Sequence, residues 1–181
     1  VTKKPLAVIV SGTPGSGKTT LARSLADYMM VPHIERDKIT RGMEYTRGER
    51  VDRVNVSLPR YFNMVAAMLG EGISIVTDGT LYRNISEPNI QNYIIAHSFA
   101  VNIHTRSLNE RQRFYHREMN REGQARDWIE GQMKILDDIY DQTVDPLDLN
   151  IPLIEVDATE AYTPSLSELV KQIGILYGRS T

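Results

Sequence analysis

Apolar residues along the chain fall into short continuous runs separated by stretches with helical spacing. Leu6-Ala-Val-Ile-Val10 is apolar throughout and stops at Ser-Gly, the pattern of a central strand buried on both faces. From Thr19 to Met30 the positions Leu21, Ala22, Leu25, Ala26 and Met29 share one helix face. Pro32 to Glu35 reads as a short second strand. Leu58 to Leu69 reads as a helix stopped by Gly70 and Gly72. Ile73 to Val76 predicts a third strand that runs into Thr77-Asp-Gly79. A helix over Asn89 to Ala96 and a strand over Phe99 to Ile103 follow. Two charged helices, Leu108 to Asn120 and Trp128 to Asp141, flank Gly123, with Trp128 expected to pack at their base. Leu153 to Val156 is the last strand, and Ser165 to Tyr177 the closing helix with Ser165 as N-cap. Strands alternating with helices predict an α/β fold with a five-stranded parallel sheet covered on both faces. Its ligand crevice should lie at the carboxyl ends of the strands.

Composition narrows this picture. The chain of 181 residues shows no repeat and no linker rich in Pro, Gly or Ser, so residues 1–181 read as one domain. Cysteine is absent, which excludes disulfides and thiolate metal sites and makes a reducing cytoplasm the expected compartment. No apolar run is long enough to span a bilayer, and Leu6 to Val10 is too short for a signal-peptide core. A net charge of −2 does not favour nucleic acid as the default partner. His33, His97, His104 and His116 show no ligand spacing. The acidic run Asp137, Asp138, Asp141, Asp145 and Asp148 reads as a solvated face.

The chemistry begins between the first strand and first helix. Gly12-Thr-Pro-Gly-Ser-Gly-Lys-Thr19 fits the phosphate-loop pattern G-x-x-x-x-G-K-S/T. Its glycines let backbone N–H groups curl toward phosphate oxygens, and the helix start adds unpaired N–H groups and a positive dipole end. Gly12, Thr13, Pro14, Gly15, Ser16, Gly17, Lys18, Thr19 and Thr20 are the candidate nucleotide-binding residues. Lys18 should reach the β- and γ-phosphates, and the Thr19 hydroxyl should ligate Mg²⁺. A dinucleotide G-x-G-x-x-G fingerprint fails, because Thr20 stands where its third glycine belongs.

Carboxylates at the ends of the second and third strands complete the candidate site. Asp37, read as ending the second strand, can serve as general base toward an attacking hydroxyl, or cap the helix that follows. Arg41, one turn further on, can hold an acceptor anion. Asp78 ends the third strand where a Walker-B acid holds Mg²⁺, the competing role being a turn-forming Asp-Gly. Gly79 and Thr80 would let the backbone approach a substrate.

Six arginines lie between Arg106 and Arg126, of which Arg113, Arg117 and Arg121 are spaced to share one helix face. A helical lid over about residues 113–135, with Arg117 and Arg121 turned inward, would neutralise charge on a transferring phosphoryl group and exclude water. Solvated surface pairs and a stripe for nucleic-acid backbone are the other readings. The Asp157-Ala-Thr159 loop after the last strand would border the adenine.

Taken in order, Gly12 to Thr19, Glu35-Arg-Asp37, Thr77-Asp-Gly-Thr80 and Arg117 to Arg121 resemble the small P-loop kinases. These include the AAA-type kinase family, the kinase domain of phage-type polynucleotide kinase, zeta-toxin-like kinases and chloramphenicol phosphotransferase. The resemblance covers nearly the whole chain, although only the P-loop is specific by itself. It implies a P-loop NTPase fold, ATP with Mg²⁺ and a small-molecule hydroxyl acceptor. It implies Asp37 as base, Lys18, Thr19 and Asp78 at the phosphates and metal, and Arg121 as the lid arginine. Asp78-Gly-Thr80 departs from the Asp-Thr/Ala-Asn of polynucleotide and related kinases, which leaves the acceptor open. The segment Gly42 to Pro59, with Arg47, Arg50, Arg53 and nearby Arg60, is the expected acceptor-binding region. A nucleic-acid kinase and a slowly hydrolysing nucleotide switch acting through a protein partner are the alternatives.

Overall fold

The computed structural model describes residues 3–120 and 137–178. Its strands are β1 (Leu6–Gly12), β2 (His33–Glu35), β3 (Ile75–Asp78), β4 (Phe99–Arg106) and β5 (Leu153–Asp157). All four ladders are parallel, in the order β2-β3-β1-β4-β5. The helices are α1 (Lys18–Met29), α2 (Arg36–Arg47), α3 (Leu58–Gly70), α4 (Ser86–Ile90), α5 (Glu110–Met119) and α6 (Leu166–Leu176). Short π-helical turns at Arg53–Ser57 and Gln91–Ile95 precede α3 and extend α4.

The uninterrupted apolar run of β1 has a direct structural cause: every residue from Leu6 to Gly12 is buried. Alternate side chains serve opposite layers. Val8 and Val10 pack with Leu21, Leu25, Leu169 and Ile173 of α1 and α6. Ala7 and Ile9 pack with Tyr61, Phe62 and Val65 of α3 and with Ile90 and Ile94. Crossovers on both faces leave the carboxyl ends of β1, β2 and β3 side by side, which is where the candidate site lies.

Among the elements that begin elsewhere than the hydrophobic pattern predicts are the third strand and the helix after it. The third strand starts at Ile75 rather than Ile73. Gly72, at φ 77°, turns the chain out of α3, and the Ile73 N–H returns 3.0 Å to the Met68 carbonyl, so Ile73 cannot join the sheet. The helix expected over Asn89 to Ala96 begins at Ser86 and gives way to the π turn. Pro88 lies in its first turn, where the missing N–H costs nothing. The closing helix has the expected cap: Ser165 and Glu168 form a reciprocal capping box.

A buried polar network supports the base of the phosphate loop. The His104 Nε2–H donates to the Val144 carbonyl at 3.0 Å, leaving Nδ1 to accept from the Ser11 hydroxyl at 3.1 Å. Burial holds the imidazole below its ordinary 6.5, so the neutral form belongs to the fold. Because the folded value lies below the unfolded one, this stabilisation is complete above pH 6.5 and is lost as pH falls through the lowered value. Thermal denaturation across mildly acidic pH should therefore show a falling midpoint, with a shallower slope in His104→Gln; an unchanged slope would contradict this assignment.

Candidate active site

The phosphate loop leaves β1 at Gly12 and enters α1 at Lys18. Gly12 has φ 139°, and a Cβ there would stand 2.4 Å from the Thr105 carbonyl oxygen. Gly15 has φ 88°, and a Cβ there would stand 1.9 Å from the Glu110 carbonyl, so the start of α5 lies directly on the loop. The Ser16 hydroxyl meets that of Thr105 at 2.7 Å, and Thr105 donates to the Ser11 carbonyl at 3.1 Å. The Tyr140 hydroxyl donates to the Pro14 carbonyl at 2.6 Å. The loop is thus braced from β4, α5 and the helical residues 137–141. Lys18 is buried and its Nζ donates across the loop to the Thr13 carbonyl at 3.1 Å. Burial lowers its pKa, with Asp37 and Asp78 acting in the opposite direction.

Asp78 is buried at the carboxyl end of β3, and both its oxygens are occupied. The Thr19 hydroxyl donates to Oδ2 at 2.6 Å, and His33 Nε2 lies 2.7 Å from Oδ1. A hydroxyl and a carboxylate held in contact beside a phosphate loop are the hard oxygens that fit Mg²⁺, which takes one or two protein oxygens and completes its shell with phosphates and water. The sequence reading missed His33. Its ring reaches Asp78 because β2 pairs with β3 in parallel, His33 opposite Val76 and Glu35 opposite Asp78.

Asp37 does not end the second strand. That strand stops at Glu35, and Asp37 lies in the first turn of α2. The N-cap position falls on Glu35, whose side chain makes no capping bond, so Asp37 does not cap the helix either. Its carboxylate faces a cleft of about 270 Å³ shared with Lys18, Thr19, Arg41, Arg53, Thr80 and Arg117. Burial pushes the Asp37 pKa up, but Arg53, Lys18, Arg36 and Arg41 outweigh it and hold the carboxyl below the ordinary 3.8. It is therefore ionised across the neutral range.

Arg36 was also missed. It is buried, with Nη1 donating to the Thr80 carbonyl and Nη2 to the Arg53 carbonyl at 3.0 Å. One guanidinium thus ties the loop after β3 to the turn before α3. Gly79 makes room for this packing: a Cβ there would lie 2.9 Å from Arg36 Cβ. Asp52 fixes the same turn by accepting from the Val54 and Asn55 N–H groups, each at 2.8 Å. Of the four arginines expected to serve the acceptor, only Arg53 lines this cleft among the described residues. Arg47 and Arg60 line an outer groove between α2 and α3, and Arg50 lies 3.5 Å from Glu44.

Arg113 and Arg117 of α5 line the bay at Gly15, Gly17, Lys18, Thr19 and Thr20. Arg113 is anchored to the loop after β5, donating to the Ala158 carbonyl at 2.7 Å and to the Thr159 carbonyl. Arg117 pairs with buried Glu118 at 3.0 Å. Arg106 and Arg111 instead make exposed pairs with Asp145, Glu155 and Asp137, as a solvated face would. Arg121, Gly123, Arg126, Trp128 and the lid beyond residue 120 lie outside the described residues.

A second cleft, of about 540 Å³, joins Thr13 to Arg106, Leu108, Asp157 and Thr159. It opens where the loop after β5 was expected to border the adenine. The N–H and carbonyl of Ala158 already bond to the Arg106 carbonyl and the Arg113 side chain.

Comparison with known proteins places this geometry in a family. A family model described as an AAA domain, a family of P-loop kinases, matches residues 8–142, well over half of the chain. A cytidylate kinase of Pyrobaculum neutrophilum is 30% identical over 89 residues, which are 46% of this chain and 48% of that protein, so the match spans about half of the relative's length. Among solved structures, a provisionally assigned kinase from Chloroflexus aurantiacus j-10-fl superposes with TM-score 0.74 at 22% identity, covering 96% of each chain. A gluconokinase from Sinorhizobium meliloti 1021 gives TM-score 0.57 at 15% identity, covering 98% of this chain and 94% of that one. At these identities the structural likeness is one of fold. The matched span takes in the phosphate loop, Asp37, Asp78 and α5, and the chain belongs to this AAA-domain family of P-loop kinases.

Proposed function

We propose that the protein transfers the γ-phosphoryl group of ATP to a hydroxyl of a small molecule. The observation that carries this reading is the single cleft bringing Lys18, Thr19, Asp37, Arg41, Thr80 and Arg117 together. The P-loop family supplies the donor half. Asp37 supplies what hydroxyl transfer needs: an ionised carboxylate facing Lys18 across the acceptor space.

In this reading, Gly12 to Thr20 wrap the triphosphate and Lys18 meets its β- and γ-oxygens. Thr19 and Asp78 would hold Mg²⁺, whose charge would offset that of the phosphates. His33 fixes the orientation of Asp78. Arg117 approaches the transferring group from α5, and Arg121 is assigned the same task by resemblance. Asp37 orients the acceptor hydroxyl and takes its proton. Its depressed pKa makes it a positioning base that accepts the proton late in the transfer, as suits a loose phosphoryl transition state. Thr80 and Arg41 line the acceptor side.

A phosphate acceptor is the second reading, because the Pyrobaculum relative is a cytidylate kinase. A carboxylate at the acceptor position disfavours it, since Asp37 would face a second anion at short range. Binding an oligonucleotide would require a wider surface than a cleft of about 270 Å³, and Arg106 and Arg111 of the basic segment are already paired with carboxylates. Incubation with γ-labelled ATP and a pool of sugars, sugar acids, nucleosides, nucleoside monophosphates and oligonucleotides tests the proposal. Label in a small hydroxyl compound is expected; label only in a nucleoside diphosphate, an oligonucleotide or free phosphate would overturn it. No described helix is long and apolar enough to cross a membrane, and the expected cytoplasmic compartment stays with the proposal.

A further inference from the structure

The acceptor side of the cleft holds more positive than negative charge. Arg36, Arg41 and Arg53 line it with Glu35 and Asp37. Glu35 has a buried Oε2 that lies 3.7 Å from Arg23 and 3.2 Å from Lys38, so its charge is met from outside the cleft. Asp37 is left with Arg53, whose Nη1 lies 3.8 Å from Oδ1. Arg36 gives both Nη atoms to backbone carbonyls, and its buried Nε has no hydrogen-bond partner. Arg41 makes no ion pair among the described residues. Three guanidinium groups therefore meet one available carboxylate in a partly enclosed space. Such an arrangement is costly without an anion, and guanidinium groups recognise carboxylate and phosphate through paired N–H donors.

We infer that the acceptor is a small hydroxylated molecule carrying its own carboxylate or phosphate group, seated on Arg41 and Arg53 while its hydroxyl meets Asp37. This rests on the hydroxyl-kinase reading. Asp37 and Arg41 are one turn apart on α2, with Cβ atoms roughly 5–6 Å apart, so one small molecule can reach both side chains. A nucleoside monophosphate fits less well, because its reacting atom would itself be the anion and would face Asp37. In the transfer, the acceptor O–H bond breaks and its oxygen forms a bond to the γ-phosphorus. The bond from that phosphorus to the β–γ bridging oxygen breaks, its electron pair leaves with ADP, and the proton passes to Asp37 and then to water.

The test compares the wild type with Arg41→Met and Arg53→Met on a panel of sugar acids and sugar phosphates, each paired with its neutral polyol. Gluconate with glucitol, and glycerol 3-phosphate with glycerol, are the first pairs, and CMP is included. In the wild type, kcat/KM should favour an anionic member by at least about tenfold, the scale of a charge-assisted contact. Whichever arm wins, carboxylate or phosphate, identifies the group. Either methionine variant should reduce that preference by about tenfold, with an unchanged circular dichroism spectrum. No preference for anionic members, or a preference that survives both substitutions, would overturn the inference; turnover of a neutral polyol would then leave the hydroxyl-kinase reading standing. Turnover of CMP alone would overturn both.

Discussion

Lys18→Ala is expected to abolish phosphoryl transfer while leaving the fold intact. Lys18 is buried, yet among the described residues its Nζ bonds only the Thr13 carbonyl, within the loop that its own helix follows. Truncation leaves the apolar packing of α1 in place, since the positions that face the core are Leu21, Ala22, Leu25 and Ala26. It does remove the only lysine in either of the two pockets that meet the phosphate loop on this side, among the described residues. A preorganised charge at the transferring group accounts for about 10³-fold or more in rate, or about 4 kcal/mol of barrier. Initial rates with γ-labelled ATP, alongside a thermal melt of the same sample, check this. Full turnover in the variant would remove the P-loop from the mechanism.

Asp37→Asn should separate binding from transfer. The amide keeps the shape and can still contact the acceptor hydroxyl, but it cannot take its proton. Loss of general-base assistance corresponds to a fall of about 10²–10⁴ in kcat. ATP affinity should hold or improve, because the substitution removes a negative charge from a cleft that also contains Lys18 and Arg117. The pH profile follows from the same electrostatics. With its carboxyl held below 3.8, Asp37 stays ionised as pH falls from neutrality through mild acid, so it should contribute no acid limb there. Equilibrium binding of ATP and single-turnover rates separate these effects. A variant that loses nucleotide affinity and keeps its turnover would place Asp37 in the donor site instead.

Much of this arrangement was legible because its parts are local in sequence. The phosphate loop is contiguous from Gly12 to Thr19, and the buried strand before it announces itself by five adjacent apolar residues. Asp78 is legible for the same reason, standing directly after an apolar strand. Asp37 could be assigned to the right crevice but not to the right element, because the change from β2 to α2 has no glycine, proline or conventional cap to mark it. His33 and Arg36 were not picked out from the sequence. Each acts on a partner more than forty positions away, His33 on Asp78 across the β2–β3 ladder and Arg36 on the Thr80 carbonyl. Only Gly79 hinted at Arg36: a glycine after Asp78 leaves room for a side chain from elsewhere. The arginine row shows the opposite limit. Arg113 and Arg117 do lie on one helix, α5, yet spacing alone could not show that Arg113 binds the Ala158 carbonyl while Arg111 pairs with Asp137 at the surface.

These parts amount to one claim, that the cleft joins a nucleotide phosphate site to a hydroxyl acceptor site. The bond formed by the transferred phosphorus tests it most directly. Phosphorus NMR of the products made from ATP and the preferred acceptor distinguishes the possible outcomes by chemical shift. The account predicts ADP and a phosphate monoester in equal amounts. A second phosphoanhydride beside ADP, or ADP with inorganic phosphate and no ester, would contradict it.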